Sequence, residues 1–311
     1  MLAALDIGSH TARLLISERT DGSEMFRPVA RRRAYIHLAD VHAGRTIGPE
    51  AFERTLKALE GFSDLMKTFR VEKVLTVSTG VTREAENAPL FLKSIHERTG
   101  IRIRVLSGEE EARLTGKGVL HAMDVVGRPF LIFDLGGGST EFLSENGPET
   151  SALSVPMGAA VLTQRLFDLD PPGETALKSL ERHVDGVLDR AFGQIGPIPR
   201  GRLFVVGTGG TVTTLTAMAH RIDLEDICPE RMNGLVLKRT DVEALFAIMK
   251  EMPVDRRQKL RGLDRGKAGV ILAGTVVVLR ILEYFRCVKM TVSLSDILEG
   301  VLVDYLENLQ H

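Results

Sequence analysis

Two segments of this 311-residue chain place an acid and a cluster of Gly, Ser and Thr at matching points between two apolar runs. Leu2–Ser17 reads LAALDIGSHTARLLIS and Phe130–Ser144 reads FLIFDLGGGSTEFLS, so Asp6 aligns with Asp134, Gly8 with Gly136, Ser9 with Gly137 and Thr11 with Ser139. In each copy an apolar strand ends on a carboxylate, turns through small residues and leaves as a second apolar strand. Such a turn offers backbone N–H groups and hydroxyls to an anion, and its Asp can hold a divalent cation that neutralises the anion. The expected phosphate contacts are therefore Gly8, Ser9, His10 and Thr11 in the first turn and Gly136, Gly137, Gly138, Ser139 and Thr140 in the second. Hairpins are often rich in Gly, Ser and Asp merely because they must turn. A duplicated carboxylate at the end of a buried strand goes further, because a buried charge needs a cation or donors beside it.

A third turn, Gly207-Thr208-Gly209-Gly210-Thr211, lies between a strand and a helix, where the open N–H groups of the helix start favour an anion. It lacks the G-x-G-x-x-G spacing of a dinucleotide fold, and the chain contains no G-x-x-x-x-G-K-[ST]. Attack on phosphate also needs a carboxylate to orient and deprotonate water. Glu109, Glu110 and Glu111 open a helix, where the helix dipole alone favours acids. Glu110 reads as the capping-box partner of Ser107, whereas Glu111 has no such task. Glu141, on the exit strand of the second turn, is the other candidate, and spacing does not choose between them. Arg83 follows Ser78-Thr79-Gly80 and can fork onto phosphate, although a lone Arg at a helix start reads first as solvated. The run Arg256, Arg257, Lys259, Arg261, Arg265, Lys267 reads equally as a solvated face or a polyanion track.

These groups need scaffolding, and periodicity supplies it. After the first hairpin, a turn at Gly44–Gly48 leads to a helix from Pro49 with apolar Phe52, Leu56, Leu59, Phe62, Met66 and Phe69. A strand at Lys73–Val77, helices around Thr82–Asn87 and Pro89–Thr99, a strand at Ile101–Leu106 and a helix from Ser107 to about Ala122 make an α/β layered lobe. The second lobe begins with the hairpin at Phe130. It continues with a helix at Leu177–Phe192, a Gly/Pro-rich connection at Gly193–Gly201 and a strand at Leu203–Val206. Helices at Val212–His220, Asp241–Met252 and Gly266–Phe285 follow, the last capped by Asp264, then a strand at Val288–Leu294 and a helix at Asp296–Leu309.

Composition fits two soluble domains: 44% apolar and 26% charged residues, with a net charge of −1 that argues against bulk nucleic-acid binding. Cys228 and Cys287 show neither metal nor redox spacing, so a reducing cytoplasm is expected. MLAALDIG has no basic start and does not read as a signal peptide. The apolar stretch Gly269–Leu279 is too short to span a bilayer and reads as a buried helix.

DIGSHTARLLI, VSTGVTREAEN, LSGEEEARLTGKGV, FDLGGGSTEF, VPMGAAVLTQRLF, VGTGGTVTTLTA, GLDRGKAGVILAGTVVVLRIL and VSLSDILEGVL resemble, in this order, the motifs of the exopolyphosphatase/guanosine pentaphosphate phosphohydrolase family. The resemblance spans nearly the whole chain. It implies an α/β fold of two ribonuclease-H-like lobes, of the actin/sugar-kinase/Hsp70 type, with an interlobe cleft. The lobes are expected at 1–125, completed by the C-terminal helix 296–311, and at 126–295. The implied activity is Mg²⁺-dependent removal of the terminal phosphate of inorganic polyphosphate. The alternatives are a phosphohydrolase of guanosine pentaphosphate or another nucleotide polyphosphate, and an alarmone sensor without turnover. By the same resemblance Glu111 is the catalytic base, Glu141 a second essential carboxylate and metal ligand, and Asp6 and Asp134 metal acids. Arg83 becomes a phosphate contact, against its solvated reading, and Gly136–Thr140 and Gly207–Thr211 become phosphate loops. A cytoplasmic homodimer with no nucleic-acid or membrane partner is implied, in the short two-domain form that lacks the appended helical domains of longer members. The chain departs from the family at His10, usually Asn, at Thr11, usually Ser, at Ala12, usually bulky and apolar, and at Leu298, usually Arg. His10 would make phosphate binding pH-dependent.

Overall fold

The computed structural model describes residues 1–20, 25–38, 46–123, 125, 127–147, 149–193 and 203–309. Residues 44 and 45 of the expected turn at Gly44–Gly48, residues 194–201 of the connection at Gly193–Gly201, and residue 126, the expected domain boundary, lie outside these residues. The chain forms two compact units, Met1–His121 with Ile297–His311, and Ala122–Asp296.

In the first unit β1 (Leu2–Ile7) pairs antiparallel with β2 (Thr11–Arg19), and β2 pairs antiparallel with β3 (Phe26–Tyr35). Next come α1 (Pro49–Thr68), β4 (Lys73–Ser78) parallel to β1, α2 (Gly80–Glu84), α3 (Ala88–Thr99), β5 (Arg104–Val105) parallel to β4, and α4 (Gly108–Ala122). The sheet order is β3-β2-β1-β4-β5. Strand alternation sends Ala3, Leu5, Ile7, Leu14 and Ile16 to one face, where they meet Leu56, Leu59 and Phe62 of α1 and Phe91 of α3. Leu2, Ala4 and Leu15 go to the opposite face.

The second unit repeats this plan. β6 (Phe130–Leu135), β7 (Thr140–Asn146) and β8 (Glu149–Val155) form an antiparallel meander, followed by α5 (Ala159–Leu166), α6 (Glu174–Phe192) and β9 (Phe204–Thr208), which is parallel to β6. Then follow α7 (Gly210–His220), α8 (Pro229–Met232), β10 (Val236–Lys238), α9 (Arg239–Met249), α10 (Val254–Arg257), α11 (Ile271–Tyr284) and β11 (Lys289–Val292), with sheet order β10-β11-β9-β6-β7-β8. The last helix, α12 (Ile297–Asn308), returns to the first unit, where Leu298, Val301 and Leu302 cover Leu2, Ala4 and Leu15. Gly300 lets it come so close to α4 that any side chain there would collide with the Leu114 carbonyl.

The repeat is thus larger than a hairpin: a three-stranded meander with parallel strands beyond its first strand. Sequence reading missed β3 and β8, the third strands. In β3, Arg31, Arg32 and Arg33 are consecutive, so no polar and apolar alternation marks it; as an edge strand it can wet both faces. The α5 and β10 segments were also missed, and the expected strand at Ile101–Leu106 shortens to Arg104–Val105. The expected helix at Gly266–Phe285 divides into a 3-10 turn at Arg265–Lys267 and α11. Asp264 accepts the Gly266 N–H at 3.0 Å and so caps the short turn, while Gly266 and Gly269 weaken any longer helix.

Candidate active site

The first turn is closed by the Gly8 N–H, which donates to the Thr11 carbonyl at 3.0 Å. The His10 carbonyl accepts from the amides of Ile36 (2.9 Å) and His37 (3.1 Å), which fastens the turn to the end of β3. Asp6, 5% exposed, is the next-to-last residue of β1, directly opposite Arg13. Arg13 donates to Asp6 Oδ2 from Nε at 3.0 Å and from Nη2 at 2.7 Å. Asp6 Oδ2 is thus paired with a guanidinium, because β2 places Arg13 in the adjoining register position.

On α4 the three glutamates divide as their spacing suggests. Glu110 and Ser107 make both bonds of the capping box, Glu110 Oε2 accepting the Ser107 N–H at 2.8 Å and Ser107 Oγ accepting the Glu110 N–H at 3.1 Å. That N–H, and then Arg104, hold the Glu110 carboxyl below its ordinary range. Glu109 is exposed beside Arg113. Glu111 turns inward, 9% exposed. Arg83 Nη1 lies 3.9 Å from Glu111 Oε2 and donates to the Leu106 carbonyl at 2.8 Å, so the exposed Arg83 is tethered beside Glu111.

In the second unit Asp134 lies opposite Glu141, and Glu141 opposite Ser154. Glu141 is 3% exposed, and Ser154 Oγ donates to its Oε1 at 2.7 Å. Two carboxylates thus share one row, an arrangement that costs stability unless a cation joins them. The turn beside them is closed by the Gly136 N–H on the Ser139 carbonyl at 3.0 Å. Its carbonyls at Gly136, Gly137 and Gly138 accept from the amides of residues 158–161, where α5 begins. In a trans peptide the C=O and the following N–H point in opposite directions. The N–H groups of Gly137, Gly138 and Ser139 therefore point away from α5 and form a nest for an anion. Gly158 makes this possible, since any side chain there would run into the Gly137 carbonyl. Gly158 stands in the VPMGAAVLTQRLF motif, but sequence reading assigned it no role.

The third turn reaches the second through Gly209, whose φ of 93° suits glycine; a Cβ there would lie 2.5 Å from Asp134 Oδ1. At Gly210 a side chain would collide with the Lys267 amine. The 3-10 turn before α11 thus delivers a cation to the start of α7, a contact that sequence reading did not find. The rest of the basic run disperses. Arg257 is buried and paired with Asp170, Arg261 is paired with Asp223, and Arg256, Lys259 and Arg265 are exposed.

Five expected phosphate contacts are also engaged within the protein. The Gly8 and Gly136 amides close their turns, and the Thr140 hydroxyl donates to the Met157 carbonyl at 2.7 Å. Gly207 leaves room for Met290, Phe133 and Val212, and Thr211 packs against Gly274 of α11. Ser9, His10, Gly137, Gly138 and Ser139 stand at the two hairpin tips, and Thr11, Thr208, Gly209 and Gly210 beside them or in the third turn. Among the described residues no three His, Cys, Asp or Glu side chains cluster to hold a metal, and no helix is long and apolar enough to cross a membrane.

Exopolyphosphatase 2 of Mycobacterium tuberculosis is 29% identical over 314 residues, covering 96% of this chain and 97% of that protein. The guanosine-5'-triphosphate,3'-diphosphate pyrophosphatase of Aliivibrio fischeri is 29% identical over 325 residues. The bifunctional 3-dehydroquinate synthase/phosphatase of Fusobacterium nucleatum is 28% identical over 318 residues. This chain spans 60% and 46% of the length of these last two proteins. The solved structure of the Aquifex aeolicus Ppx/GppA family member superimposes with a TM-score of 0.84 at 30% identity, covering 100% of this chain and 98% of that one, and establishes the two-lobed actin-like fold. The model of the Ppx/GppA phosphatase family matches residues 15–309, from within β2 through α12. With the family's pattern running through both sheets and the fold of a solved member covering its full length, this chain belongs to the Ppx/GppA phosphatase family.

Proposed function

We propose that the chain is a phosphoanhydride hydrolase that removes the terminal phosphate of inorganic polyphosphate. The observation that carries this reading is the row Asp134–Glu141 beside the amide nest of residues 137–139: paired negative charge next to an anion seat suits a metal-bound phosphate. A divalent cation fits this donor set, since Mg²⁺ is commonly held by one or two carboxylates, with water and phosphate oxygens completing its shell. Asp134 and Glu141 would hold Mg²⁺, which when bound supplies charge neutralisation on the phosphate oxygens. Asp6 keeps the task of holding Arg13.

Glu111 orients and deprotonates the attacking water, its inward carboxylate being the one α4 acid without a surface role. Arg83, beside it, and Lys267, at the third turn, neutralise charge that grows on the phosphate oxygens, the kind of contribution that usually dominates phosphoryl transfer. Ser9, His10 and Thr11 add donors at the first turn. A second reading, guanosine pentaphosphate as substrate, is favoured by the named activity of the Aliivibrio fischeri relative. A sensor without turnover is disfavoured, because both Glu111 and Glu141 are kept. A cytoplasmic location accords with two cysteines that form no disulfide, and a homodimer with the family resemblance.

The test is phosphate release from the purified protein with long-chain polyphosphate and guanosine pentaphosphate in parallel, with and without Mg²⁺. Release from polyphosphate that needs Mg²⁺ and is lost in Glu111→Ala, with the far-UV spectrum unchanged, is the expected result. Release only from guanosine pentaphosphate selects the second reading. Release from neither, or near-normal turnover in Glu111→Ala, overturns the mechanism.

A further inference from the structure

We infer that Asp170 and Arg257 are positioning residues: they anchor the segment from Val254 to Lys267 so that the Lys267 amine is presented at the start of α7. The inference rests on the phosphate role given to Lys267 above. A side chain at Gly210 would collide with that amine, yet the segment that carries Lys267 has little regular structure of its own. α10 is four residues long and the turn Arg265–Lys267 three. Helices this short do not hold themselves in water, so contacts to other elements must fix them.

The most buried of these contacts is made by Arg257, which is 1% exposed. Among the described residues its guanidinium has one partner, Asp170, which accepts from Nη2, while Nε and Nη1 are sealed from solvent without a hydrogen bond. Asp170 stands in the loop before α6, and its Oδ2 accepts the Val254 N–H at 2.6 Å. One carboxylate therefore holds both ends of α10. A buried guanidinium that loses its counter-charge must move toward water, and α10 moves with it. From there the path to Lys267 is a succession of hydrogen-bonded turns. The Leu260 N–H donates to the Arg257 carbonyl at 3.0 Å, the Leu263 N–H to the Leu260 carbonyl at 3.2 Å and the Lys267 N–H to the Asp264 carbonyl at 2.8 Å. Midway, Gly262, with a φ of 80°, is pressed on the end of α7, where a Cβ would lie 2.9 Å from the Ala217 carbonyl carbon. Two backbones in such contact have no side chain to adjust, so lifting α10 unseats Gly262 and the turn beyond it. Arg261 also forks onto Asp223, from Nε and Nη2 at 2.7 Å each. Both members of that pair are exposed and such pairs contribute little, which makes Asp223→Ala the control.

Acylation of the amines of the full chain without substrate, read residue by residue by mass spectrometry, tests the placement. Asp170→Asn keeps an acceptor for Val254 but removes the charge. The Lys267 amine should then react about threefold faster relative to Lys259, exposed on the same segment, as local opening uncovers it. Arg257→Met, in which no charge is stranded, should raise the same ratio, and Asp170→Glu should recover part of the protection. Asp223→Ala should change it less than about twofold. An unchanged ratio in both Asp170→Asn and Arg257→Met overturns the inference. So does an equal rise at Lys117, which Asp304 and Glu307 hold, because the whole chain would then have loosened. The second measurement is a double-mutant cycle on KM for long-chain polyphosphate. Asp170→Asn and Lys267→Ala should each raise KM about fivefold, the scale of one charge-assisted contact, and together scarcely more than either alone, since both remove the same contact. Losses that multiply would mean that Asp170 acts elsewhere and overturn the inference. If Lys267→Ala leaves turnover and KM unchanged while Asp170→Asn still uncovers the amine, the phosphate role of Lys267 fails and the anchor stands.

Discussion

The two meanders carry different charges at the same register positions. Across β1, β2 and β3 the row reads Asp6, Arg13, Arg33; across β6, β7 and β8 it reads Asp134, Glu141, Ser154. The first row holds one acid and two arginines, with Arg13 as the counter-ion of Asp6. The second contains two acids and a hydroxyl, which suits a cation. One residue on the exit strand, Arg13 in one copy and Glu141 in the other, makes the difference. The supports differ too. In both units the segment after the third strand holds the turn, but in the first two amides share the His10 carbonyl, whereas in the second four amides hold three successive carbonyls. Duplication of a backbone device has left one copy as a turn beside an acid–arginine pair and made the other a more firmly held turn beside two facing acids.

Erasing the charge difference should have the largest effect. Glu141→Gln keeps an acceptor for Ser154 but leaves Asp134 as the only acid in the row, and turnover should fall roughly a thousandfold, the scale of losing one well-placed electrostatic group. Thermal stability should hold or rise, because the facing like charges are gone. Turnover within tenfold of wild type, measured as phosphate release at saturating Mg²⁺, would break the distinction between the rows.

The difference in support is tested at Gly158. Alanine there collides with the backbone of the second turn, so the loop must move off α5 or the helix must shift. A cost of about 3 kcal/mol is expected, the upper range for overpacking a close contact, read as a lowered denaturant midpoint together with weaker phosphate binding. A variant as stable as wild type would show that the clamp is slack.

In the first row, Arg13→Met removes the guanidinium from a carboxylate that is 5% exposed. The expected loss is about 2 kcal/mol, below the range for breaking a fully buried pair because Arg13 is partly solvated. Adding Asp6→Asn should restore most of it, since the double variant leaves no charge to compensate. A double variant no better than Arg13→Met would mean that Asp6 is compensated from elsewhere, and would blur the contrast with Asp134.

What was legible in the sequence was local. The hairpins, the Ser107 capping box and the apolar stripe of α1 each depend on residues within a few positions, and each stands where its pattern put it. What was not legible depends on pairing across distance. β3 is a strand because β2 offers it an edge, and its arginines conceal the fact. Lys267 meets Gly210 only because its 3-10 turn comes to the start of α7, and within the sequence it was one of six basic residues. Conversely Thr140 and Thr211 have the residue type of a phosphate contact, but their positions turn the hydroxyls toward Met157 and Gly274. The Asp6 carboxylate matches Asp134 in sequence, yet it faces Arg13 where Asp134 faces Glu141.

The smallest expected effect probes the third-strand position, where Ser154 answers Arg33. Ser154 donates to Glu141 Oε1 at 2.7 Å and so fixes the rotation of a carboxylate whose other oxygen would face Mg²⁺ on the proposed function. Ser154→Ala removes that bond without removing a charge, and the loss should be about 1 kcal/mol, near the low end for a hydrogen bond to an ionised group. Turnover is then expected to drop about fivefold, with a matching rise in the Mg²⁺ concentration needed for half-maximal rate. Ser154→Thr, which keeps the hydroxyl, should recover most of both. Because Ala changes neither net charge nor strand register, a loss confined to stability with the Mg²⁺ dependence unmoved would make Ser154 a packing residue. The second row would then consist of its two acids alone, and the charge inversion between the units would rest on Arg13 and Glu141 without help from the third strand.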